Sequence, residues 1–209
     1  MDYTLYLVTD AGLSLGRPLT HVVEAAVRGG VTVVQYREKS APTRRMIEEA
    51  REARQVCRAA GVPFIVNDRV DVALAVDADG VHVGQDDMPA YLARRMIGAG
   101  RILGVSAGNV QEAKKAVADG ADYIGASPIF ATPTKPDAPA PMGLEGLRHL
   151  AAAVSIPVVA IGGINARNAA SIIAAGAAGV AVVSAVVAAE DIEAAARAIH
   201  GAVAAARQK

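Results

Sequence analysis

Short β-branched runs and longer alanine-rich segments alternate eight times along this chain, and that alternation leaves few folds open. The apolar cores of the runs lie near residues 4–8, 31–35, 63–66, 80–83, 102–105, 122–125, 157–161 and 179–183. Segments near 19–29, 42–60, 70–76, 89–99, 109–119, 143–153, 165–175 and 190–206 carry apolar residues at helical spacing. Strands that alternate with helices build βαβ units and a parallel sheet. Eight such units within 209 residues sit near the lower size limit of a closed (β/α)₈, or TIM, barrel. The competing arrangement is an open doubly wound sheet, which normally shows a glycine-rich turn after its first strand. Here that position reads Val8-Thr9-Asp10-Ala11-Gly12, so the expectation is an α/β chain in which residues 1–209 form a single TIM-barrel domain.

Polar residues gather on one side of this pattern. After the runs come Thr9-Asp10, Gln35-Tyr36-Arg37-Glu38-Lys39, Asn67-Asp68-Arg69, Gly84-Gln85-Asp86-Asp87, Ser106, Ser127-Pro128, Gly162-Gly163-Ile164-Asn165 and Ser184. The residues leading into the runs are blander, as in Gly29-Gly30, Gly61-Val62 and Ile156-Pro157. Barrel enzymes carry their chemistry on the loops that follow the strands, while the opposite end serves stability. A catalytic barrel is the reading.

Composition narrows the ligand class. The 21 basic and 21 acidic side chains cancel, and aromatic residues are only 3% of the chain. Nucleic-acid binding is therefore not expected, because it calls for a basic footprint and stacking platforms. The first residues show no basic region followed by an apolar run, and no apolar stretch approaches the roughly 20 residues that span a bilayer. A cytoplasmic protein with small-molecule partners and no membrane association is the expectation, with a homo-oligomer left open. The single cysteine, Cys57, precludes an internal disulfide, and its helical surroundings suggest a small, partly buried residue.

Four stretches could carry chemistry. On an extended segment Gln35, Arg37 and Lys39 share one direction with Val31 and Val33, so an amide and two cations would line the barrel mouth. Asp68 and Asp87 are read as ending strands three and four and could meet across the rim. They would serve either in salt bridges to Arg37 and Lys39 or as ligands for Mg²⁺, which takes one or two carboxylates and completes its shell with water and phosphate oxygens. Zinc does not fit, because His21, His82, His149 and His200 are dispersed. His82, inside a strand, is read as a core or orienting residue. The long proline-rich connection from Ser127 to Pro141 offers Thr132, Thr134 and Lys135 as phosphate donors. Gly163 beside Gly162, and Val183-Ser184 after the last run, stand where barrels of this kind bind phosphate, after strands seven and eight. No nucleophile–base pair is visible. A site rich in cations but poor in bases suits departure of a diphosphate, where catalysis is mostly positioning and charge neutralisation.

In order along nearly the whole chain, Gln35-Tyr36-Arg37-Glu38-Lys39, Asn67-Asp68, the run from Asp79 to Asp87, Gly104-Val105-Ser106, the segment from Ala121 to Lys135, Ile161-Gly162-Gly163-Ile164 and Val183-Ser184 resemble the thiamine-phosphate synthase family. The resemblance implies a Mg²⁺-dependent transferase. It would couple 4-amino-2-methyl-5-(diphosphooxymethyl)pyrimidine to a thiazole phosphate, with dissociative loss of diphosphate and capture of the pyrimidine-methyl cation by the thiazole. By matching position, Gln35, Arg37, Lys39, Asn67, Ser106 and Lys135 would bind the pyrimidine diphosphate. Asp68 and Asp87 would hold Mg²⁺. Thr132, Thr134, Gly163, Val183 and Ser184 would bind the thiazole phosphate. Arg37, Lys39, Ser106 and Lys135 are the expected catalytic residues. Two other enzymes share parts of this pattern. A thiazole tautomerase of the same superfamily would carry histidines where this chain has Gln35 and Gly108. A Schiff-base aldolase would need a desolvated lysine at Lys135. A binder that retained the phosphate sites without the chemistry is a third alternative.

Overall fold

A computed structural model describes residues 1–132, 134 and 140–208. Eight parallel strands close on themselves in chain order: β1 (Leu5–Val8), β2 (Val33–Tyr36), β3 (Phe64–Asn67), β4 (Gly80–Val83), β5 (Ile102–Ala107), β6 (Tyr123–Ala126), β7 (Val158–Ile161) and β8 (Gly179–Val182). Closure is made by β1 pairing with β8, Tyr6 opposite Ala181. A ring of helices surrounds the barrel: α1 (Leu19–Arg28), α2 (Thr43–Ala59), α3 (Val70–Ala75), α4 (Ala90–Ile97), α5 (Val110–Ala118), α6 (Gly143–Ala152), α7 (Ala169–Ala174), α8 (Ser184–Val187) and α9 (Ile192–Arg207). No helix among the described residues is long and apolar enough to cross a membrane.

Alternation along each strand divides the apolar residues into two layers. Leu5, Leu7, Val34, Phe64, Val66, Val81, Val83 and Leu103 point outward and join the stripes of the helices in one continuous core. Those stripes follow helical spacing: Met46, Ala50, Ala53 and Cys57 on α2, and Ile192, Ala196, Ile199 and Val203 on α9. The intervening residues fill the barrel itself, where Tyr6, Val8, Val33, Ile65, Tyr123, Val159 and Ala181 form a second cluster. Burying each large aliphatic side chain contributes about 1.5–3 kcal/mol before the cost of ordering the chain.

Local chemistry sets the element ends. Pro18, Pro42 and Pro89 precede α1, α2 and α4 in extended conformation. The side chains of Asn109 and Asp191 cap α5 and α9 by accepting from Glu112 N and Ala194 N, each at 2.9 Å. At the strand starts, Asp79 accepts from the Phe64 amide and Asp122 from the Leu103 amide, both at 2.7 Å. These carboxylates tie neighbouring strands together at the end of the barrel away from the polar loops.

Three elements differ from the sequence-based expectation. The helix expected over 165–175 begins only at Ala169, because Asn165 and Asn168 bond the backbone locally: Asn168 Oδ1 accepts from Asn165 N and Asn165 Oδ1 from Arg167 N. The second strand starts two residues late, since the Val31 amide donates to Ala26 at the end of α1. A short helix, α8, follows β8 directly and was not foreseen.

At the seam between β1 and β8 the backbones come close. A Cβ added to Gly179 would lie 1.6 Å from the Tyr3 carbonyl oxygen. Backbone on both sides of that contact cannot move without opening the seam. Gly179→Ala is expected to destabilise the protein by about 3 kcal/mol, read from the urea midpoint. A midpoint unchanged from the parent would mean that the seam yields.

Candidate active site

The strands carry their inner side chains toward one end of the barrel, and there polarity replaces hydrocarbon. On β2 the inner residues run from Val33 to Gln35, on β3 from Ile65 to Asn67, and on β5 from Ile102 through Gly104 to Ser106. Above them opens a cavity of about 460 Å³. Its wall contains Gln35, Arg37, Lys39, Asn67, Asp68, Asp87, Ser106, Thr132, Thr134, Gly163, Val183 and Ser184. Every candidate site residue from the sequence therefore borders one cavity, apart from Lys135, which lies outside the described residues.

The cations are each held by a carboxylate. Arg37 donates to Asp10 Oδ2 at 2.8 Å, and its amide donates to Thr9 Oγ1 at 3.0 Å. Thr9 and Asp10 thus fix the guanidinium from the end of β1. Lys39 donates to Asp68 Oδ2 at 2.5 Å. Its side chain remains more than half exposed, with 56% accessible.

Asp68 and Asp87 do meet across the rim, although neither lies within a strand as expected. Asp68 is the first residue beyond β3. Asp87 lies four residues beyond β4, in a turn where its Oδ2 accepts from the Gly84 amide at 2.8 Å. Burial, reinforced by a hydrogen bond with Asp87, raises the Asp68 pKa above the usual carboxylate range despite Lys39. Burial also works against the charge on Asp87, but hydrogen bonds from Asp68 and from the Gly84 amide outweigh it and lower that pKa. Asp68 is turned to the rim by a left-handed backbone with φ of 60°. A non-glycine residue occupies that region only when its surroundings enforce it. Here the Asp68 amide is bound to the His82 carbonyl at 2.7 Å, and the Arg69 amide to the Asn67 carbonyl at 2.7 Å.

No group of three or more His, Cys, Asp or Glu side chains is arranged to hold a metal among the described residues. Two adjoining carboxylates with room beside them are a donor set suited to Mg²⁺, which draws the rest of its shell from water and phosphate. They are unsuited to zinc, which seeks nitrogen and sulfur.

A serine–histidine pair, absent from the expectation, sits at the cavity floor. His82 Nε2 lies 2.9 Å from Ser106 Oγ, and Nδ1 lies 2.8 Å from the Tyr123 hydroxyl. Burial holds the His82 pKa down to about 4. A base that weak does not activate a serine at neutral pH, so the pair orients rather than attacks.

The family model described as thiamine monophosphate synthase matches residues 5–186. The chain belongs to this family. It is 66% identical to the thiamine-phosphate synthase of Chloroflexus aurantiacus over all of this chain and 96% of the relative. It is 54% identical to that of Moorella thermoacetica over all of this chain and 99% of the relative. The solved structure of thiamine phosphate pyrophosphorylase from Pyrococcus furiosus superposes with a TM-score of 0.90 at 45% identity, covering 97% of this chain and 96% of that one. A 3-hexulose-6-phosphate synthase structure shares the fold alone, with a TM-score of 0.69 and 18% identity.

Within this member of the thiamine monophosphate synthase family, Gly162 and Gly163 have a packing role. Their φ angles are 109° and 65°, and a Cβ on either would come within 2.9 Å of the loop after β6, at Pro128 and Ala131. The Phe130 amide donates to the Gly162 carbonyl at 3.1 Å. The paired glycines therefore dock that loop against the end of β7. Thr134 Oγ1 then comes to 3.5 Å from Ser184 Oγ, at the start of α8.

Cys57 takes no part in the site. It is fully buried in α2, not partly as expected, and burial, aided by the Asp79 charge, pushes its pKa up to about 12. A raised pKa keeps the thiol protonated, and the thiolate is the reactive form. The native protein should fail to react with an aromatic disulfide reagent at pH 8 and should react fully once denatured. Rapid labelling of the folded protein would contradict this burial.

Proposed function

We propose that this chain is a thiamine-phosphate synthase that joins 4-amino-2-methyl-5-(diphosphooxymethyl)pyrimidine to a thiazole phosphate, giving thiamine phosphate and diphosphate. The observation that carries the reading is the gathering of Arg37, Lys39, Asp68 and Asp87 at one rim of a cavity whose other rim is formed by the glycine-paired loop after β7 and the start of α8. One rim suits a diphosphate and the other a monophosphate, so the two substrates would face each other across the floor.

The reaction needs the bond between the pyrimidine methylene carbon and the bridging oxygen to break, with the electron pair leaving on diphosphate. The carbon is left positive, and its charge spreads into the electron-rich aminopyrimidine. The thiazole nitrogen then supplies its lone pair to form the new carbon–nitrogen bond. No proton has to move for the bond exchange itself, which agrees with a cavity poor in bases.

The protein's task is to make departure easy and return unproductive. Arg37, fixed by Asp10 and Thr9, offers a preset donor fork to the phosphate oxygens. Lys39 reaches the same region on a flexible, largely exposed stem, and can exchange Asp68 for a phosphate oxygen. Asp68 and Asp87 would hold Mg²⁺. When bound, the ion neutralises charge that builds on the leaving diphosphate. Gln35 and Ser106 would hold the pyrimidine at the floor, while Thr132, Thr134, Gly163, Val183 and Ser184 would hold the thiazole phosphate. Lys135 belongs to the same proposal on family resemblance alone. Mg²⁺ dependence and a cytoplasmic location are likewise part of the proposal.

Purified protein given both substrates is expected to release diphosphate and form thiamine phosphate with Mg²⁺, and to stop with chelator. Release that ignores the chelator would remove the metal from the scheme, and absence of thiamine phosphate would refute the reaction. Asp87→Ala should lower kcat about 100-fold and raise the Mg²⁺ requirement, with thiazole phosphate affinity within about twofold of the parent. Wild-type turnover across a Mg²⁺ titration would overturn the assignment. Lys39→Ala should slow diphosphate release about 100-fold while leaving Tm nearly unchanged, since the lysine is more than half exposed and the burial-raised pKa of Asp68 lets it take up a proton in place of the lost cation. An unfolded Lys39→Ala protein would instead make the Asp68 pair structural.

A further inference from the structure

At the floor of the cavity, five polar side chains cross the inside of the barrel in one unbroken line. Gln35 Nε2 donates to the Tyr6 hydroxyl at 2.8 Å. The Tyr6 and Tyr123 hydroxyls lie 2.7 Å apart, Tyr123 and His82 Nδ1 2.8 Å, and His82 Nε2 and Ser106 Oγ 2.9 Å. The chemistry proposed above uses only the two ends. Tyr6 and Tyr123 are each 1% exposed and border the deepest part of the same cavity, where each hydroxyl already bonds its neighbours in the line.

The barrel gives up packing to make room for this line. A Cβ on Gly104 would stand 2.2 Å from Tyr123 Cζ and 2.4 Å from His82 Nδ1, and one on Gly125 would stand 2.9 Å from His82 Cε1. Two inward positions on β5 and β6 are thus reduced to hydrogen so that a phenol and an imidazole can meet in the interior. An apolar filling of the same volume would satisfy the fold without introducing buried polar groups.

Proton counting fixes the sense of the line. Each phenol owns one proton, and a neutral imidazole has one donor and one acceptor nitrogen. With the Gln35 amide nitrogen bound to Tyr6, the Tyr6 proton goes to Tyr123 and the Tyr123 proton to His82 Nδ1. The imidazole proton then sits on Nε2 and is given to Ser106. Gln35 is left presenting its carbonyl oxygen to the cavity, and Ser106 is left presenting its hydroxyl proton. Reversing either end requires reversing every member between them.

We propose that Tyr6, Tyr123 and His82 are positioning residues that lock Gln35 as an acceptor and Ser106 as a donor, so that the floor selects a 4-aminopyrimidine over a 4-oxopyrimidine. The selection rests on the synthase reading. An amino group beside a bare ring nitrogen offers a donor and an acceptor, matching the floor. The oxo ring offers an acceptor beside an N–H donor and meets the floor with both polarities reversed. A site built to bond one polarity rejects the other strongly, because its own buried groups are left unpaired.

The test compares calorimetric binding of the 4-amino pyrimidine diphosphate and its 4-oxo counterpart to the parent, to Tyr123→Phe and to Tyr6→Phe, with thiazole phosphate as control. The parent should prefer the amino ring by about 100-fold or more, and each variant should reduce that preference about tenfold. Thiazole phosphate affinity should hold in all three. Either substitution breaks the line while keeping the ring, so Tyr6→Phe serves if Tyr123→Phe does not fold. Equal weakening toward both rings, with the preference intact, would show that the phenols only fill space and would overturn the proposal. A parent that binds thiazole phosphate but neither pyrimidine would refute the synthase reading itself.

Discussion

Closure of a parallel sheet imposes a strict rule on this chain: every second residue of every strand must face a shared interior. The rest of the architecture follows from that restriction. Once β1 pairs with β8, no strand edge remains open, and register can no longer slip without turning a whole inner face outward. The inner residues therefore stand in fixed relation across strands far apart in sequence. At the lower end they are aliphatic and phenolic. At the upper end the same positions hold Gln35, Asn67, His82 and Ser106, supported from below by a packed core. Rigid strands, not loops, set the spacing of the cavity floor.

At the rim the controlling physics is charge held in partly dry surroundings. Asp68 and Asp87 adjoin, and their pKa values move apart, upward for Asp68 and downward for Asp87. A pair of this kind resists holding two negative charges without a cation nearby. Lys39 on one side and Asp10-bound Arg37 on the other keep positive charge close without permanently neutralising it. On the proposed reading, the groups that balance one another at this rim are those a diphosphate would engage, so that binding would exchange partners instead of exposing bare charges.

The strand order, the helical stripes and the concentration of polar residues after the strands could all be read along the sequence, because each depends on periodicity or on position within one unit. What could not be read depends on neighbours brought together by closure. Arg37 finds Asp10 across 27 residues, His82 finds Ser106 across 24, and Tyr6 finds Tyr123 across 117. No local pattern announces such contacts. Gly162-Gly163 marks the polar end of the barrel in the sequence, but its packing under the loop after β6 arises only when β6 and β7 lie side by side. The delayed start of α7 was hidden by asparagines whose side chains compete with the helix for the backbone. Gly104 and Gly125 could have signalled a bulky inner neighbour, since glycine within a strand often marks close approach, yet nothing in the sequence said which neighbour.

The aromatic composition of the floor gives the molecule an optical property. The chain has five tyrosines and no tryptophan. Three of the five, Tyr3, Tyr6 and Tyr123, are clustered inside the barrel from that floor downward, with ring centroids 5.1 Å and 5.8 Å from that of Tyr123. These phenols contribute near-ultraviolet dichroism from inside the barrel, as chromophores whose asymmetry is set by its packing. Any heteroaromatic ring seated on Gln35 and Ser106 lies next to those chromophores. The unlabelled protein carries its own spectroscopic reporter of occupancy.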